Sequence, residues 1–250
     1  PTLVRGTVSR ILYYRGCFNP PHRGHMDALC HAFFRGGHDL NLIAAYIYPV
    51  KDSAVQHKMG ALESAFTLPR EQRIALWNSD NLSGGWHWCH GDPSRGDNEF
   101  QRALEEECSR DGFDIEFVCL TGPDWVGSSS YYGKNIVCGS RERAAFINDT
   151  TFKFEAVKEW NQHQWHEWEH LLRSHTQALN PIRQCFYHKD DPNRWIRFIL
   201  TRTLDSEPTD MSSSRIRSII WNANGIKDFL RQLDGFALHP ELLLQFIKQL

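Results

Sequence analysis

The spacing of apolar residues changes twice between residues 1 and 50, and these changes predict a strand, a helix and a second strand. Residues 11–14 are aliphatic or aromatic, which is typical of a strand. The next apolar residues recur at the spacing of a helical stripe: Met26, Leu29, Cys30, Phe33 and Phe34. A nearly continuous apolar run within residues 39–50 is typical of a strand buried on both faces of a parallel sheet. We therefore predict a βαβ unit with a right-handed crossover.

The same alternation continues after this unit. Apolar runs predict further strands over residues 114–120, 136–138 and 195–203, and periodic stretches predict helices over 69–77, 99–110, 211–221 and, as two short pieces, 226–250. Weak periodicity over residues 53–68 predicts a loop. A stripe of tryptophans and leucines within 158–179 predicts a helix. The fold predicted is α/β, a Rossmann-like parallel sheet of about five strands with flanking helices. We expect one domain over residues 1–250, with a helical insertion at 142–194.

Composition narrows the class of protein. The chain has 250 residues, 41% hydrophobic and 23% charged, which suits a globular domain with a sizeable core. Its net charge of -2 gives no bulk basic field for nucleic acid, and no apolar run approaches the ~20 residues of a membrane helix. The 7 cysteines are dispersed, without a C-x-x-C pair, which favours free thiols in a reducing compartment, cytoplasm or nucleus.

The junction between the first strand and the first helix, residues 16–25, carries the most specific chemistry. The first turn of a helix has unpaired N–H groups and a partial positive charge, so it attracts phosphate. Gly24 leaves room for close approach of a ligand. His22 and His25 could donate hydrogen bonds to phosphoryl oxygens as charge develops in a transition state. The alternative is an ordinary turn with two hydrogen-bonded histidines.

A second polar cluster opens the predicted helix at residues 211–217. Its serines can cap the helix, whereas Arg215 and Arg217 in the first turn oppose the helix dipole. A nearby anion would offset that cost, although solvated arginines behind an ordinary cap remain the alternative. A third group, His166 and His170 within 158–179, has the spacing of a shared metal site. No cysteine or carboxylate completes an accepted metal motif there, so we predict no metal ligands in the protein.

The first two clusters resemble the signatures of the nucleotidyltransferase superfamily, the group with H-x-G-H motifs. Residues 16–25 match G-x-F-x-P-x-H-x-G-H, and residues 211–217 resemble I-S-S-T-x-I-R, with Met211 and Ser214 as conservative changes. The resemblance implies catalytic roles for His22, His25 and Arg217. It also implies nucleotide contacts along both motifs: Gly16, Phe18, Asn19, Gly24, Ser212, Ser213 and Arg215.

Within that superfamily the chain looks most like nicotinamide-mononucleotide adenylyltransferases. A P-V-x-D segment at residues 49–52 precedes Lys58 and Arg73, which would neutralise the incoming phosphate. Trp86 or Trp88 could stack on a nicotinamide ring. Two further elements resemble nucleotide contacts of the family, a G-x-D segment followed by tryptophan and a small residue followed by arginine that meets adenine: Gly122, Asp124, Trp125, Ser140 and Arg141.

The resemblance implies that AMP passes from ATP to a mononucleotide of the nicotinamide type, that pyrophosphate leaves and that an NAD-type dinucleotide forms. Mg²⁺ would be bound mostly through nucleotide oxygens and water. The expected partners are nucleotide substrates, without nucleic acid or membrane, and self-association is compatible with the tryptophan content. Three alternatives stay open: a cytidylyltransferase with another phosphorylated acceptor, a relative acting on an aminoacyl-tRNA or other activated substrate, and a nucleotide-binding protein without turnover. The tRNA alternative arises because class I aminoacyl-tRNA synthetases share H-x-G-H and a late serine-rich loop.

Overall fold

The computed structural model of the chain describes residues 3–60, 66–79, 85–89, 91, 96–122, 133–139, 165–167, 182–188, 191–200 and 211–249. Its strands are β1 (Ser9–Gly16), β2 (Leu42–Pro49), β3 (His87–Cys89), β4 (Ile115–Thr121), β5 (Lys134–Gly139), β6 (Trp165–Glu167), β7 (Ile182–His188) and β8 (Asp191–Leu200). Its helices are α1 (Arg23–Arg35), α2 (Asp52–Met59), α3 (Arg70–Asn78), α4 (Asp97–Arg110), α5 (Ser213–Asn222), α6 (Ile226–Leu233) and α7 (Pro240–Ile247). In the described part of the chain, no helix is long and apolar enough to cross a membrane.

The strands form one sheet in the order β3-β2-β1-β4-β5-β8-β7-β6. β1 pairs with β4, β4 with β5 and β5 with β8, all in parallel, whereas β7 pairs antiparallel with both β8 and β6. From β1 to β4 the strands alternate with helices, which supply the crossover connections that parallel neighbours need. The predicted α/β, Rossmann-like fold is therefore confirmed.

The chain divides into two compact units. The sheet unit comprises residues 1–14, 28–45 and 97–206, and the motif unit comprises 15–27, 46–96 and 207–250. Strands β1 and β2 each begin in the sheet unit and end in the motif unit. A compact unit need not fold alone, so the prediction of one domain over 1–250 with an insertion at 142–194 stays a prediction.

The core of the sheet unit comes from the apolar runs of its strands, and its fully buried side chains include Leu12, Val118, Leu120, Ile136 and Ile196. Gly36, directly after α1, lies so close to this core that an added Cβ would be 3.2 Å from the Ile136 Cδ1 atom and 2.4 Å from the Ala32 carbonyl oxygen. The close approach explains a glycine there. α1 buries Leu29 and Ala32, but Phe34 is exposed, although the sequence placed it in the apolar stripe.

The motif unit has its own core, built where α3, α5, α6 and α7 pack around the segment before α3. Its buried side chains are Leu68, Leu76, Ile216, Ile219, Phe229, Leu233, Ala237 and Leu243. A smaller cluster of Val50, Val55 and Met59 packs against Cys17 of the first motif. Each cluster contacts one of the two sequence motifs: Ile216 of the second motif belongs to the larger cluster, and Cys17 of the first motif packs against the smaller one.

The loop predicted over residues 53–68 is wrong for its first part, because α2 forms over Asp52–Met59. Val55 and Met59 lie one turn apart and are the buried residues of this helix. Two apolar positions in eight residues give too short a stripe for periodicity to reveal. Strand β3 likewise lies in a part of the chain where the apolar pattern predicted neither a helix nor a strand.

The helical interpretation of residues 158–179 is wrong where the structure describes that segment. β6 is a strand, and it pairs antiparallel with β7, which lies in the same predicted insertion. Tryptophan and histidine at this spacing fit a short helix or a strand, and pairing with a neighbouring strand decides between them. His166 therefore lies on a strand, and His170 lies outside the described residues.

Candidate active site

The two histidines of the first motif lie at the start of α1, in the motif unit. The backbone N–H of His22 donates to Nδ1 of His25 at 3.2 Å, and the two rings stack with centroids 3.6 Å apart. Because Nδ1 of His25 accepts this hydrogen bond, a neutral His25 carries its proton on Nε2. His22 is 6% exposed, whereas His25 is only partly buried. The pair thus presents His25 Nε2–H as a hydrogen-bond donor, with His22 fixing its tautomer.

Phe18 packs beneath this pair and is 3% exposed. Its ring meets His25 edge-on with centroids 5.0 Å apart and Trp77 of α3 edge-on at 5.2 Å. The backbone of Phe18 has a φ of 46°, in the left-handed region that is uncommon outside glycine. A Cβ on Gly16 would lie 2.7 Å from the Phe18 ring, so the motif needs glycine at that position. Phe18 therefore supports His25 and has little surface left for a nucleotide.

Gly24, the other motif glycine, fits closely beside His22. A Cβ there would lie 3.1 Å from the His22 Nδ1 atom and 3.2 Å from the Met211 Cβ atom. Met211 opens the second motif, so both motifs restrict the space at Gly24. The sequence suggested that this glycine admits a ligand, and the structure shows in addition that it lets the two motifs approach each other.

The second motif begins α5 and bonds directly to the first. The Ser212 hydroxyl caps the helix by accepting from the Arg215 N–H at 3.2 Å. Ser213 Oγ donates to the Pro20 carbonyl at 2.9 Å, and Arg217 Nη1 donates to the Asn19 carbonyl at 2.7 Å. Residues far apart in sequence are thus held together, as a shared phosphate site requires.

Arg217 is half-buried, and no acidic side chain among the described residues pairs with its charge. Its Nη2 donates to Ser214 Oγ at 2.9 Å, so the Asn19 carbonyl and this hydroxyl, both neutral oxygens, accept its hydrogen bonds. No carboxylate of the described residues forms an ion pair with it. Burial lowers the pKa of Arg217, and Cys17 opposes this shift. A partly desolvated guanidinium beside a helix N-terminus is suited to an anionic ligand.

Arg73 differs from what the sequence led us to expect, because its side chain is completely buried. The guanidinium donates to three main-chain carbonyls and to Asp52 Oδ1, the last at 2.7 Å. Asn19 is used in the same way: its Nδ2 donates to the Phe66 carbonyl at 2.7 Å, and its Oδ1 accepts from the Leu68 N–H at 2.8 Å. Both side chains hold the main chain of the motif unit.

Two further predicted cations are exposed. Lys58 lies in the last turn of α2, and Arg215 lies over the Phe236 ring with its guanidinium carbon 4.6 Å from the centroid. In the sheet unit, Gly122 directly follows the carboxyl end of β4. The remaining predicted contacts lie outside the described residues: Asp124, Trp125, Ser140 and Arg141.

Trp86 and Trp88 flank His87 near the start of β3. The Trp86 ring meets the His87 ring edge-on, and the Trp88 ring lies 5.3 Å from that of Tyr46. The sequence did not mark Trp77 as part of the site, although its position on the apolar face of α3 was visible. Ser214, which holds Arg217, was noted only as a departure from the family pattern.

No family model matches the chain, and no curated protein matches it. Solved structures of Plasmodium falciparum nicotinic acid mononucleotide adenylyltransferase are similar to it. The complex with APC is 14% identical with a TM-score of 0.48, and the similarity covers 96% of each chain. The complex with NaAD is 13% identical with a TM-score of 0.49, again covering 96% of each chain.

Proposed function

We propose that this chain is a nucleotidyltransferase that transfers AMP from ATP to a mononucleotide of the nicotinamide type, with release of pyrophosphate. The observation that carries the proposal is the half-buried Arg217, which has no described carboxylate partner and is hydrogen-bonded to the motif that presents His25. A cation left without an acid at a helix N-terminus favours a polyphosphate ligand.

In the proposed reaction a phosphate oxygen of the mononucleotide attacks the α-phosphorus of ATP. A new P–O bond forms, the bond between the α-phosphorus and the bridging oxygen breaks, and pyrophosphate leaves with the bonding electrons. His25 Nε2–H donates to the α-phosphoryl oxygens, where negative charge increases in the transition state. Arg217 and the first N–H groups of α5 hold the β- and γ-phosphates, and exposed Lys58 and Arg215 attract the anionic substrates.

Magnesium would enter with the nucleotide. Among the described residues, no group of three or more His, Cys, Asp or Glu side chains could hold a metal ion. In this proposal the ion is held by phosphate oxygens and water. Such an ion neutralises phosphate charge when it is bound. The protein contributes position and hydrogen-bond donors.

The test is pyrophosphate release by the purified chain with Mg²⁺, offering ATP or CTP with nicotinamide mononucleotide, nicotinic acid mononucleotide and a panel of other phosphorylated acceptors. We expect release with ATP and a pyridine mononucleotide, with formation of the dinucleotide confirmed by mass spectrometry. His25→Ala should lower the rate about 10²–10³-fold, and His57→Ala, an exposed histidine of α2, serves as the matched control. Release with CTP, or only with a different acceptor, would support the transfer chemistry and contradict the proposed nucleotide or acceptor. A folded protein that releases none would refute the transferase.

A further inference from the structure

Among the described residues of the motif unit, the guanidinium of Arg73 is the most enclosed charge. Its side chain is 0% exposed. Nε donates to the Leu68 carbonyl at 3.0 Å, Nη1 to the Cys17 carbonyl at 2.7 Å, and Nη2 to the Val50 carbonyl at 2.8 Å. Nη2 also contacts Asp52 Oδ1 at 2.7 Å. Most of the donors of this side chain are therefore committed to the protein.

These acceptors belong to three different segments around the candidate site. Cys17 lies inside the first motif, Val50 joins the end of β2 to the start of α2, and Leu68 precedes α3. The Leu68 N–H is in turn bound by Asn19, whose own carbonyl accepts from Arg217. One buried arginine thus connects the main chain that carries the histidines to the main chain that carries α2 and α3.

Electrostatics agree with an internal role. Burial lowers the pKa of Arg73, and the hydrogen bond and charge of Asp52 oppose that shift. The Asp52 carboxylate balances the arginine and is itself 49% exposed. A guanidinium that is neutralised and fully enclosed offers no face to a substrate phosphate, in contrast to Arg217.

We propose that Arg73 is a positioning residue for the transfer reaction: it holds the first motif, the start of α2 and the segment before α3 in the arrangement that the reaction needs, without touching substrate. The inference rests on the proposed function for its kinetic consequence, and on the contacts alone for its structural consequence. Lysine keeps the charge but cannot supply the planar fork that reaches three carbonyls.

The kinetic test compares Arg73→Lys with Arg73→Met. If Arg73 positions the segments, both variants lose kcat by about 10²-fold, because misplacement of reacting groups by about 1 Å costs this much. The KM values for ATP and acceptor then stay near those of the parent protein. If Arg73 bound phosphate, Arg73→Lys would keep most of kcat and the KM for the acceptor would rise, and that result would overturn the proposal. Active-site titration corrects for any inactive fraction.

The structural test is hydrogen exchange of the nucleotide-free protein, which does not depend on turnover. Arg73→Lys should raise exchange in all three segments, within residues 15–19, 50–54 and 66–70. Arg197→Lys is the matched control, because Arg197 is 1% exposed and donates to the Gly36 carbonyl and to Asp39, both of which lie outside those segments. Faster exchange in a protein without turnover would retain the structural role and refute the transferase. Unchanged exchange with normal turnover would refute the positioning role alone.

A second substitution covers the case in which both Arg73 variants fail to fold. Asp52→Ala removes one acceptor and the counter-charge of Arg73, which destabilises the protein, but the three carbonyl acceptors stay in place, so we expect a protein that still folds. We expect the same pattern at smaller size: a lower kcat, a constant KM and faster exchange within residues 50–54. Wild-type values of kcat and of exchange in Asp52→Ala would contradict the proposal.

Discussion

Arg197 in the sheet unit and Arg217 in the motif unit are both arginines with restricted access to water, but their charges are treated in opposite ways. Arg197 is 1% exposed and forms a bidentate pair with Asp39, with Nη1–Oδ1 at 2.9 Å and Nη2–Oδ2 at 2.5 Å. Arg217 is hydrogen-bonded to a carbonyl and a hydroxyl, without a carboxylate among the described residues.

The difference separates structural charges from charges kept for a ligand. In a buried ion pair each charge is balanced by its partner, so removal of one side chain leaves the other charge uncompensated. A partly buried cation with neutral partners gains most when an anion arrives. Arg73, balanced by Asp52, belongs with Arg197 although it lies in the motif unit. The balance of each charge therefore indicates function better than its position in a motif.

Removing the charge of Arg217 should have the largest effect. We expect Arg217→Met to lower kcat/KM for pyrophosphate release by about 10²–10³-fold, because a donor to developing phosphate charge is lost. The kcat/KM of Arg217→Lys should lie between those of the parent protein and Arg217→Met, since lysine keeps the charge and loses the planar fork of guanidinium donors. Arg231→Met, an exposed arginine of the same unit paired with Asp228, is the control. Equal rates for Arg217→Met and Arg231→Met would show that the charge of Arg217 is not kept for a ligand.

Breaking the balanced pair of the sheet unit should affect stability. Arg197→Met removes the bidentate ion pair with Asp39, and we expect a loss of about 3 kcal/mol in the free energy of unfolding, since breaking a buried pair costs roughly 3–5 kcal/mol and Asp39 is partly exposed. Urea denaturation measures the change. The specific activity of the folded fraction should stay constant, and a loss of activity without a loss of stability would contradict the assignment.

The fold was largely predictable from the sequence because near-continuous apolar runs are typical of strands buried in a parallel sheet. Strands β1, β2, β4, β5 and β8 coincide with such runs, and the βαβ start follows from a change of period. Short elements escaped, because α2 buries only Val55 and Met59 and because β6 is specified by its pairing with β7. Pairing between distant segments leaves no periodic trace in either one.

The site was accessible only as a set of motifs. The chemistry and spacing of the residues indicated His25 and Arg217 as site residues. In the structure a hydrogen bond from Arg217 to the Asn19 carbonyl joins their two motifs. The resemblance to the family implied that Arg73 faces a phosphate and Asn19 a nucleotide, whereas their side chains bind main chain of the motif unit. Arginine and asparagine are usually exposed, and no sequence pattern shows that several carbonyls converge on one side chain.

An anion that occupies the site should stabilise the protein even without catalysis. Tripolyphosphate at ~100 times its Kd should add about 2.7 kcal/mol to the free energy of unfolding, by mass action. The increase in Tm should be largest for the parent protein, retained in Arg197→Lys and lost in Arg217→Met. A shift that persists in Arg217→Met would place the anion elsewhere, and would also weaken the contrast between the two arginines.

The smallest expected effect concerns the pH dependence of stability. It involves Glu116 of the sheet unit, whose charge is balanced by Arg10 and Lys134. Burial alone would raise the pKa of Glu116, but Lys134 and Arg10 outweigh it, so that the pKa is lowered. A lowered pKa contributes stability above the unfolded value of about 4.3, and that stability disappears as pH falls through the folded value. Glu116→Gln should therefore cost about 1 kcal/mol at neutral pH, and the gap should close below about pH 4. Glu106→Gln, which removes a more exposed carboxylate on α4, is the control for the loss of one negative charge. A constant difference at every pH would show that Glu116 stabilises the sheet unit by packing and not by charge.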